Sequence, residues 1–182
     1  METLSAGTLR PVPITTRLDL VAPPVRAALE GLADRGRIGV VEIDPNLSDT
    51  AAFTDAYSVP AEISANCVVV AGKRDGTERI AAGMVLATTR ADVNGVVRKR
   101  LDVRKASILP MDRAVAETGM EYGGITPVGL PGWPVLVDAR VAELPVAVIG
   151  SGLRRSKLIL PGAVLAALPD AEVVEGLGLT VG

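Results

Sequence analysis

Apolar positions in the first third of the chain recur with two spacings, which predict helices and strands in turn. Residues 25–32 are apolar at every third or fourth position after Pro24, which predicts a helix that ends at Gly36. Residues 38–43 form a mostly apolar run, which predicts a short buried strand. A second helix is expected to follow this strand and to end before Pro60.

The rest of the chain continues with short elements of both kinds. Residues 67–71 and 79–88 predict the two strands of a hairpin, because the turn signal between them, 73–76, ends in Asp-Gly. The further predicted elements are a helix capped by Asp92, a strand over 106–109, a helix from Pro110 to Gly119, strands over 135–137, 146–149 and 158–160, a helix from Pro161 and a strand at 173–174.

Strands and helices alternate irregularly in this pattern, and at least one pair of strands forms a hairpin. The pattern fits neither a regular parallel series of strand, helix and strand nor an all-strand protein. We therefore predict a mixed α/β (α+β) fold, with a curled mixed sheet or partial barrel of about six or more short strands and helices packed outside. One domain is expected over residues 1–182, with residues 1–20 as a mobile N-terminal arm.

The composition limits which catalytic and metal-binding groups the chain can provide. Hydrophobic residues make up 48% of the chain and aromatic residues only 2%, so the core must be aliphatic. The absence of histidine removes imidazole bases, Ser-His and Cys-His pairs and the commonest zinc ligand, so neither a metal nor a cofactor is expected. The single Cys67 fits a reducing cytoplasm, and no apolar run is long enough for a membrane span.

The segment from Thr118 to Asp138 is rich in glycine and proline. It contains five of the 19 glycines and three of the 13 prolines. Glycine permits positive φ and close backbone approach, whereas proline fixes φ and removes a donor. The interleaving predicts a rigid ribbon of main-chain N–H groups that could bind an oxyanion or a carbonyl oxygen. A pair of ordinary tight turns between a helix and a strand explains the same residues.

Two groups of basic residues invite a nucleic-acid interpretation. Arg98, Lys99, Arg104 and Lys105 belong to the larger group and could contact phosphates, although a solvated helix face explains them equally well. A smaller group over 154–157 has the same two explanations. The formal net charge of −2 argues against general coating of nucleic acid.

Several short motifs follow one another in the second half of the chain. Thr118-Gly119 is followed by the sequence GGITPVG at 123–129, by Asp138 at a strand end, and by GSGLRR at 150–155. This succession resembles the YbaK/ProX-type aminoacyl-tRNA deacylases, which are similar to the editing insertion domain of bacterial prolyl-tRNA synthetases. The resemblance spans roughly residues 45–175, with its specific part at 118–160.

The resemblance implies a YbaK-like fold whose pocket takes the 3′ end of a misacylated tRNA and hydrolyses the aminoacyl ester. The implied catalytic residues are Asn66, Gly123, Gly124, Thr126 and Asp138. The implied substrate-binding residues are Ile125, Pro127, Gly129, Gly150, Ser151, Gly152 and Arg154. The implied partner is misacylated tRNA, with no metal and no membrane.

One position departs from the family pattern. The family usually has a lysine before the strand that starts at Cys67, and in register that position is Asn66, which carries no charge. Trans-editing deacylation is the leading hypothesis. The alternatives are a non-catalytic YbaK-like domain that binds aminoacyl-tRNA or a small aminoacyl ligand, and a deacylase for another small ester or amide.

Overall fold

The computed structural model describes residues 4–181 and consists of short strands and helices in mixed order. The strands are β1 Val12–Pro13, β2 Gly39–Glu42, β3 Ala65–Arg74, β4 Thr77–Leu86, β5 Thr89–Ala91, β6 Lys105–Ile108, β7 Val135–Asp138, β8 Ala147–Gly150, β9 Ser156–Leu160, β10 Ala171–Val174 and β11 Gly178–Thr180. The helices are α1 Pro23–Glu30, α2 Thr50–Tyr57, α3 Arg98–Leu101, α4 Met111–Thr118, α5 Ala139–Ala142 and α6 Gly162–Ala166. This mixture confirms the predicted fold class.

Two sheets carry most of the strands. The larger sheet has the order β10-β7-β4-β3-β6, in which β10, β7 and β4 are parallel to one another and the remaining pairs are antiparallel. The other sheet, β1-β2-β9-β8, is antiparallel throughout. They meet where Ser64, just before β3, forms a parallel bridge with Val148 of β8. The strands described in residues 4–181 therefore curl around without closing a barrel.

The largest group of buried side chains joins the two sheets. It includes Val25 of α1, Val137 of β7, Ile149 of β8 and Leu165 of α6, all at most 1% exposed. Its members are aliphatic apart from Met84 and Met120, as the low aromatic content predicts. This shared core fixes the start of β3 relative to β8 and β9, which is where the candidate site lies.

Caps place the element boundaries. The helix α4 ends at Gly119, whose φ of 69° is in the left-handed region, and the Asp92 carboxylate accepts from the N–H groups of Gly95 and Val96. The predicted end of α1 at Gly36 is wrong. The helix ends at Glu30, because the N–H of Gly31 bonds back to Ala28 and Leu29, and a separate 3-10 turn covers 33–37.

The N-terminal segment differs from the predicted mobile arm. Of the residues that the structure describes there, Ile14 and Leu20 are each 1% exposed and belong to the main core. The Ser156 hydroxyl donates to the carbonyl oxygen of Leu20. Widely spaced apolar residues in 3-10 turns leave no helical or strand period, so the pattern gave no sign of this packing. Residues 1–3 of the predicted arm lie outside the described residues.

Removing this packing should cost stability. We expect Leu20→Ala to lower the free energy of unfolding by about 2–4 kcal/mol, the usual cost of a large-to-small change in a core. Val12→Ala is the control, because Val12 is 40% exposed in the same segment. Urea denaturation measures both. Equal, small effects would mean that the N-terminal segment contributes little to the core.

Candidate active site

A cleft of about 380 Å³ opens where the two sheets meet. It lies between the N-terminal end of α2, the start of β3, the loop that precedes β7, and the strands β8 and β9. Its lining residues are Ser48, Asp49, Thr50, Phe53, Ser64, Ala65, Asn66, Cys67, Met111, Gly123, Ile125, Val148, Ile149, Gly150 and Lys157. The structure thus brings together four of the predicted site residues: Asn66, Gly123, Ile125 and Gly150.

The glycine-rich loop packs against the segment after β8 with no room for side chains. A Cβ atom at Gly150 would lie 2.6 Å from the carbonyl oxygen of Gly124, and one at Gly124 would lie 2.8 Å from the backbone of Leu153. Two hydrogen bonds join the same stretches, from the Gly152 N–H to Gly124 O (2.7 Å) and from the Glu121 N–H to Gly152 O (2.8 Å). The loop is therefore fixed by backbone contacts.

Two cleft-lining residues of this loop have N–H groups without a hydrogen-bond partner among residues 4–181. The N–H of Gly124 is already used, because it donates to the carbonyl oxygen of Glu121 at 3.0 Å. The hydrogen bonds of residues 4–181 include none from the N–H of Gly123 or of Ile125, and both residues line the cleft. Gly123 has a φ of 76°, a conformation that favours glycine. Unpaired N–H groups in a fixed loop can bind an oxyanion.

Arg154 ties this loop to the segment before α2. Its guanidinium donates to Tyr122 O at 3.1 Å and to Pro45 O at 3.2 Å, and it lies 5.5 Å from the centre of the Tyr122 ring. Its own N–H donates to the Glu121 carboxylate at 2.7 Å. Arg154, predicted to bind substrate, is not among the residues that line the cleft, and its contacts hold the loop.

Asn66 lies near the start of β3, at the edge of the cleft. Thr50 at the beginning of α2 donates its hydroxyl to the Asn66 side-chain oxygen at 3.3 Å. Asn66 also borders a second, more open cleft of about 780 Å³ on the neighbouring face of the sheet. Its neutral amide can donate a hydrogen bond but cannot supply a charge.

Lys157 is a cleft residue that the motif analysis did not select. It lies on β9 opposite Gly150, and its ammonium donates to the carbonyl oxygen of Ser48 at 3.1 Å and lies 5.2 Å from the centre of the Phe53 ring. Burial lowers the pKa of Lys157 to about 8, although Asp49 acts to raise this pKa. The available sequence signal was a single charge between the small Ser156 and the apolar end of β9.

Two serine hydroxyls and one thiol also line the cleft. The hydroxyl oxygens of Ser48 and Ser64 are buried and have no hydrogen-bond partner among residues 4–181, so both have unused hydrogen-bonding capacity. Burial raises the pKa of the Cys67 thiol to about 12, so the thiol stays protonated at neutral pH. Cys67 is therefore a poor nucleophile, and no histidine is present to activate it.

The other predicted site residues lie outside this cleft. Thr126 and Ser151 are fully buried, and the Ser151 hydroxyl bonds to Ser156. Gly152, at a φ of 87°, packs against Ala22. Pro127 and Gly129 line a separate, mostly apolar cleft of about 220 Å³. In the structure these positions are buried or line another surface, so the catalytic role implied for Thr126 and the substrate contacts implied for the other four stay predictions.

A family model for the aminoacyl-tRNA editing domain matches residues 44–168, which include every residue that lines the 380 Å³ cleft. The chain belongs to this aminoacyl-tRNA editing family. No curated protein matches the chain significantly.

Solved structures share the fold of this editing domain. A candidate trans-editing enzyme for prolyl tRNA synthetase is 20% identical, with a TM-score of 0.71 over 89% of this chain and 99% of that one. A scaffold protein from work on epitope backbone grafting by computational design is 22% identical, with a TM-score of 0.72 over 88% and 97%. The hypothetical protein APE2540 is 17% identical, with a TM-score of 0.67 over 77% and 90%. These similarities confirm the fold.

The predicted nucleic-acid contacts lie on other parts of the editing domain. Arg98 and Lys99 begin α3, where the Arg98 guanidinium donates to the carbonyl oxygen of Asn94 at 2.7 Å. Arg104 and Lys105 line a shallow cleft of about 320 Å³ beside β6. Within residues 4–181 no group of three or more metal-binding side chains occurs, and no helix is long and apolar enough to cross a bilayer.

Asp138 of the editing domain holds the end of β7. Its side chain is 1% exposed and accepts from the Gly178 N–H at 2.7 Å and from the Arg140 guanidinium at 2.9 Å. Burial acts to raise the pKa of Asp138, but the hydrogen bonds from Arg140 and Gly178 outweigh it and hold this pKa below its ordinary value. Asp138 therefore stays ionised and joins β7 to β11.

Replacing this carboxylate should affect stability. We expect Asp138→Asn to lower the free energy of unfolding by about 1–3 kcal/mol at pH 7, since it weakens the buried bonds to Arg140 and Gly178. Because the folded-state pKa is depressed, the difference should shrink as the pH falls below about 4. Denaturation at several pH values measures this, with the exposed Asp55→Asn as control. An Asp138→Asn variant as stable as the wild type would contradict a structural role for this carboxylate.

Proposed function

We propose that this editing domain hydrolyses the ester bond of misacylated tRNA in trans, with the aminoacylated 3′ end in the 380 Å³ cleft. The observation that carries the proposal is that Gly123 and Ile125 line this cleft and that their N–H groups have no hydrogen-bond partner among residues 4–181. Membership of the editing family supports it. So does the shared fold with a candidate trans-editing enzyme.

The chemistry requires a stabilised oxyanion and an activated water. Water attacks the ester carbonyl carbon, and the carbonyl oxygen becomes negatively charged where the N–H groups of Gly123 and Ile125 can receive it. Loss of one such donor typically raises a barrier by about 3–4 kcal/mol. The ribose hydroxyl next to the ester can relay a proton from the water to the leaving ribose oxygen, because it gives up its own proton as it accepts one, which suits a chain without histidine. The bond from the carbonyl carbon to the ribose oxygen then breaks, and that oxygen takes the proton, which releases the amino acid and the tRNA.

The need for such an enzyme follows from the limits of charging. One methylene group changes binding by only about 1–3 kcal/mol, so a synthetase accepts some wrong amino acids. A separate deacylase can remove them, and we infer that this domain acts in the cytoplasm, where tRNA is charged. Arg98, Lys99, Arg104 and Lys105 are the proposed phosphate contacts.

A second candidate function is binding without hydrolysis of aminoacyl-tRNA or of a small aminoacyl ligand. The observation that favours it is Asn66, a neutral residue at a position where the YbaK-type proteins usually have lysine. The cleft and its N–H groups would still hold an aminoacyl ester.

The two functions differ in single-turnover deacylation across a panel of misacylated tRNAs. We expect hydrolysis by the wild type, and a rate lower by about 10²-fold or more in Gly123→Val, since a Cβ atom there would lie 2.5 Å from Arg154 Nη1 and would shift the loop that carries the N–H donors. Gly132→Val is the matched control: Gly132 has a similar φ of 71°, but a Cβ atom there meets nothing within 4 Å. Asn66→Lys should raise the rate, because a cation there would stabilise negative charge.

The same assay contains the outcomes that contradict the proposal. A wild type that binds the tRNAs but hydrolyses none would support the binding function. If the wild type is active and Gly123→Val and Gly132→Val change the rate equally, the chemistry takes place away from the Gly123 loop.

Contact with tRNA phosphates should make affinity depend strongly on salt. The log-log slope should be about −0.9 for each phosphate contact, or about −0.7 for a single strand. Arg98→Glu with Lys99→Glu should weaken binding of all tRNAs alike and reduce this slope. The control is the same charge change at two exposed arginines elsewhere, Arg26→Glu with Arg35→Glu. If the two sets of variants behave alike, the α3 residues form a solvated helix face.

A further inference from the structure

The residues that line the 380 Å³ cleft include two ionisable carboxylate or amine side chains, Asp49 and Lys157. Lys157 is thus the cation that lines it among residues 4–181. We propose that the Lys157 ammonium, the Ser48 hydroxyl and the Gly123 N–H form an anion-binding site, in which Lys157 supplies the positive charge that Asn66 lacks. This proposal rests on the proposed function for the identity of the anion.

Ser48 connects the other two members of the proposed site. The Lys157 ammonium is 3.1 Å from the carbonyl oxygen of Ser48. The hydroxyl oxygen of the same Ser48 would lie 3.5 Å from a Cβ atom built at Gly123. Ser48 therefore contacts the lysine with its carbonyl group and approaches the loop with its hydroxyl group.

Each member of the proposed site has unused hydrogen-bonding capacity. The Ser48 hydroxyl is buried and has no partner among residues 4–181, and the hydrogen bonds of that range include none from the Gly123 N–H. An ammonium has three donor hydrogens, and Lys157 uses one of them, toward Ser48. Three types of donor from residues that line one cleft are suited to an anionic oxygen.

The position of Lys157 follows from the alternation of β9. Its neighbours Ser156 and Leu158 are fully buried on the core side of the strand, so the lysine projects from the opposite face. There it is paired with Gly150 of β8, over which the backbone of Gly124 and Ile125 packs closely.

The surroundings keep this ammonium charged but poorly solvated. Burial lowers the pKa of Lys157 to about 8, Asp49 acts to raise it, and Arg154 acts to lower it. The Asp49 side chain is 70% exposed and is therefore a screened partner. The remaining cleft residue that titrates, Cys67, stays neutral. A buried cation with weak pairing is costly, and a bound anion would compensate for it.

Two oxygens of the proposed substrate could be this anion. One is the carbonyl oxygen of the ester, which gains its charge only in the transition state. The other is the 5′-phosphate of the terminal adenosine, which is charged throughout. The first would make Lys157 important for the rate of the chemical step, and the second would make it important for binding of the ground state.

The test moves the charge from one wall of the cleft to the other. Lys157→Met removes the ammonium with similar volume, and Asn66→Lys in the Lys157→Met background returns a cation to the cleft. We expect Lys157→Met to reduce single-turnover deacylation by about 10²-fold after subtraction of uncatalysed hydrolysis, and the double variant to recover part of the loss. Lys73→Met is the control, since Lys73 is exposed in the β3–β4 hairpin.

Binding of non-hydrolysable probes separates the two anions and does not require activity. The probes are 3′-aminoacylamino-adenosine with and without a 5′-phosphate. If the site holds the phosphate, Lys157→Met should weaken binding of the phosphorylated probe only. The wild type's preference for the phosphorylated probe should then fade as the pH rises through about 8, because the ammonium loses its proton. If the site holds the carbonyl oxygen, both probes should bind normally while the rate falls.

The outcomes distinguish failure of this inference from failure of the proposed function. Lys157→Met with unchanged rate and unchanged binding of both probes would overturn the inference even in an active enzyme. An inactive wild type would overturn the proposed function, and binding of the probes would then be the test of the inference. In that case, unchanged binding of both probes by Lys157→Met would count against the inference. Denaturation checks folding: removal of a poorly solvated charge should leave the unfolding midpoint unchanged or higher.

Discussion

The cleft depends on two stretches of backbone that approach each other more closely than side chains would allow. Gly124 and Gly150 face one another across this contact, and hydrogen bonds from the Gly152 N–H to Gly124 O and from the Glu121 N–H to Gly152 O close it. The loop therefore holds the Gly123 N–H in place before any ligand arrives. Such preorganisation is what makes a neutral backbone group effective against a developing charge, because no reorganisation is needed during the reaction.

The local parts of this arrangement could be predicted from the sequence. The end of α4 at Gly119, the cap at Asp92 and the β3–β4 hairpin each depend on a few neighbouring residues, and all were correctly placed. The elements that were missed, such as β5 and β11, have three residues each and exist because they pair across the fold. Strands this short have no period that a pattern could detect.

Side-chain roles at the site were harder to predict, because they depend on burial and on distant partners. Asp138 is adjacent to the loop in sequence, yet its carboxylate bonds to Gly178, 40 residues away. Ser48 and Lys157 are 109 positions apart and meet at the cleft. The basic residues at 154–157 likewise have different roles. Arg154 holds the glycine-rich loop through a hydrogen bond to Tyr122, whereas Lys157 lines the cleft. Proximity along the chain could not separate these roles.

A charge acts on a cleft through its distance from the reacting atoms, whichever strand carries it. Coulombic attraction in a partly buried site changes slowly over a few ångströms, whereas a hydrogen bond requires a particular direction. Asn66 on β3 and Lys157 on β9 occupy different walls of one narrow cleft, so the second can supply the charge and the first the directed hydrogen bond. A neutral residue at one motif position therefore does not make the cleft neutral, and the charge must be sought among all residues that line it.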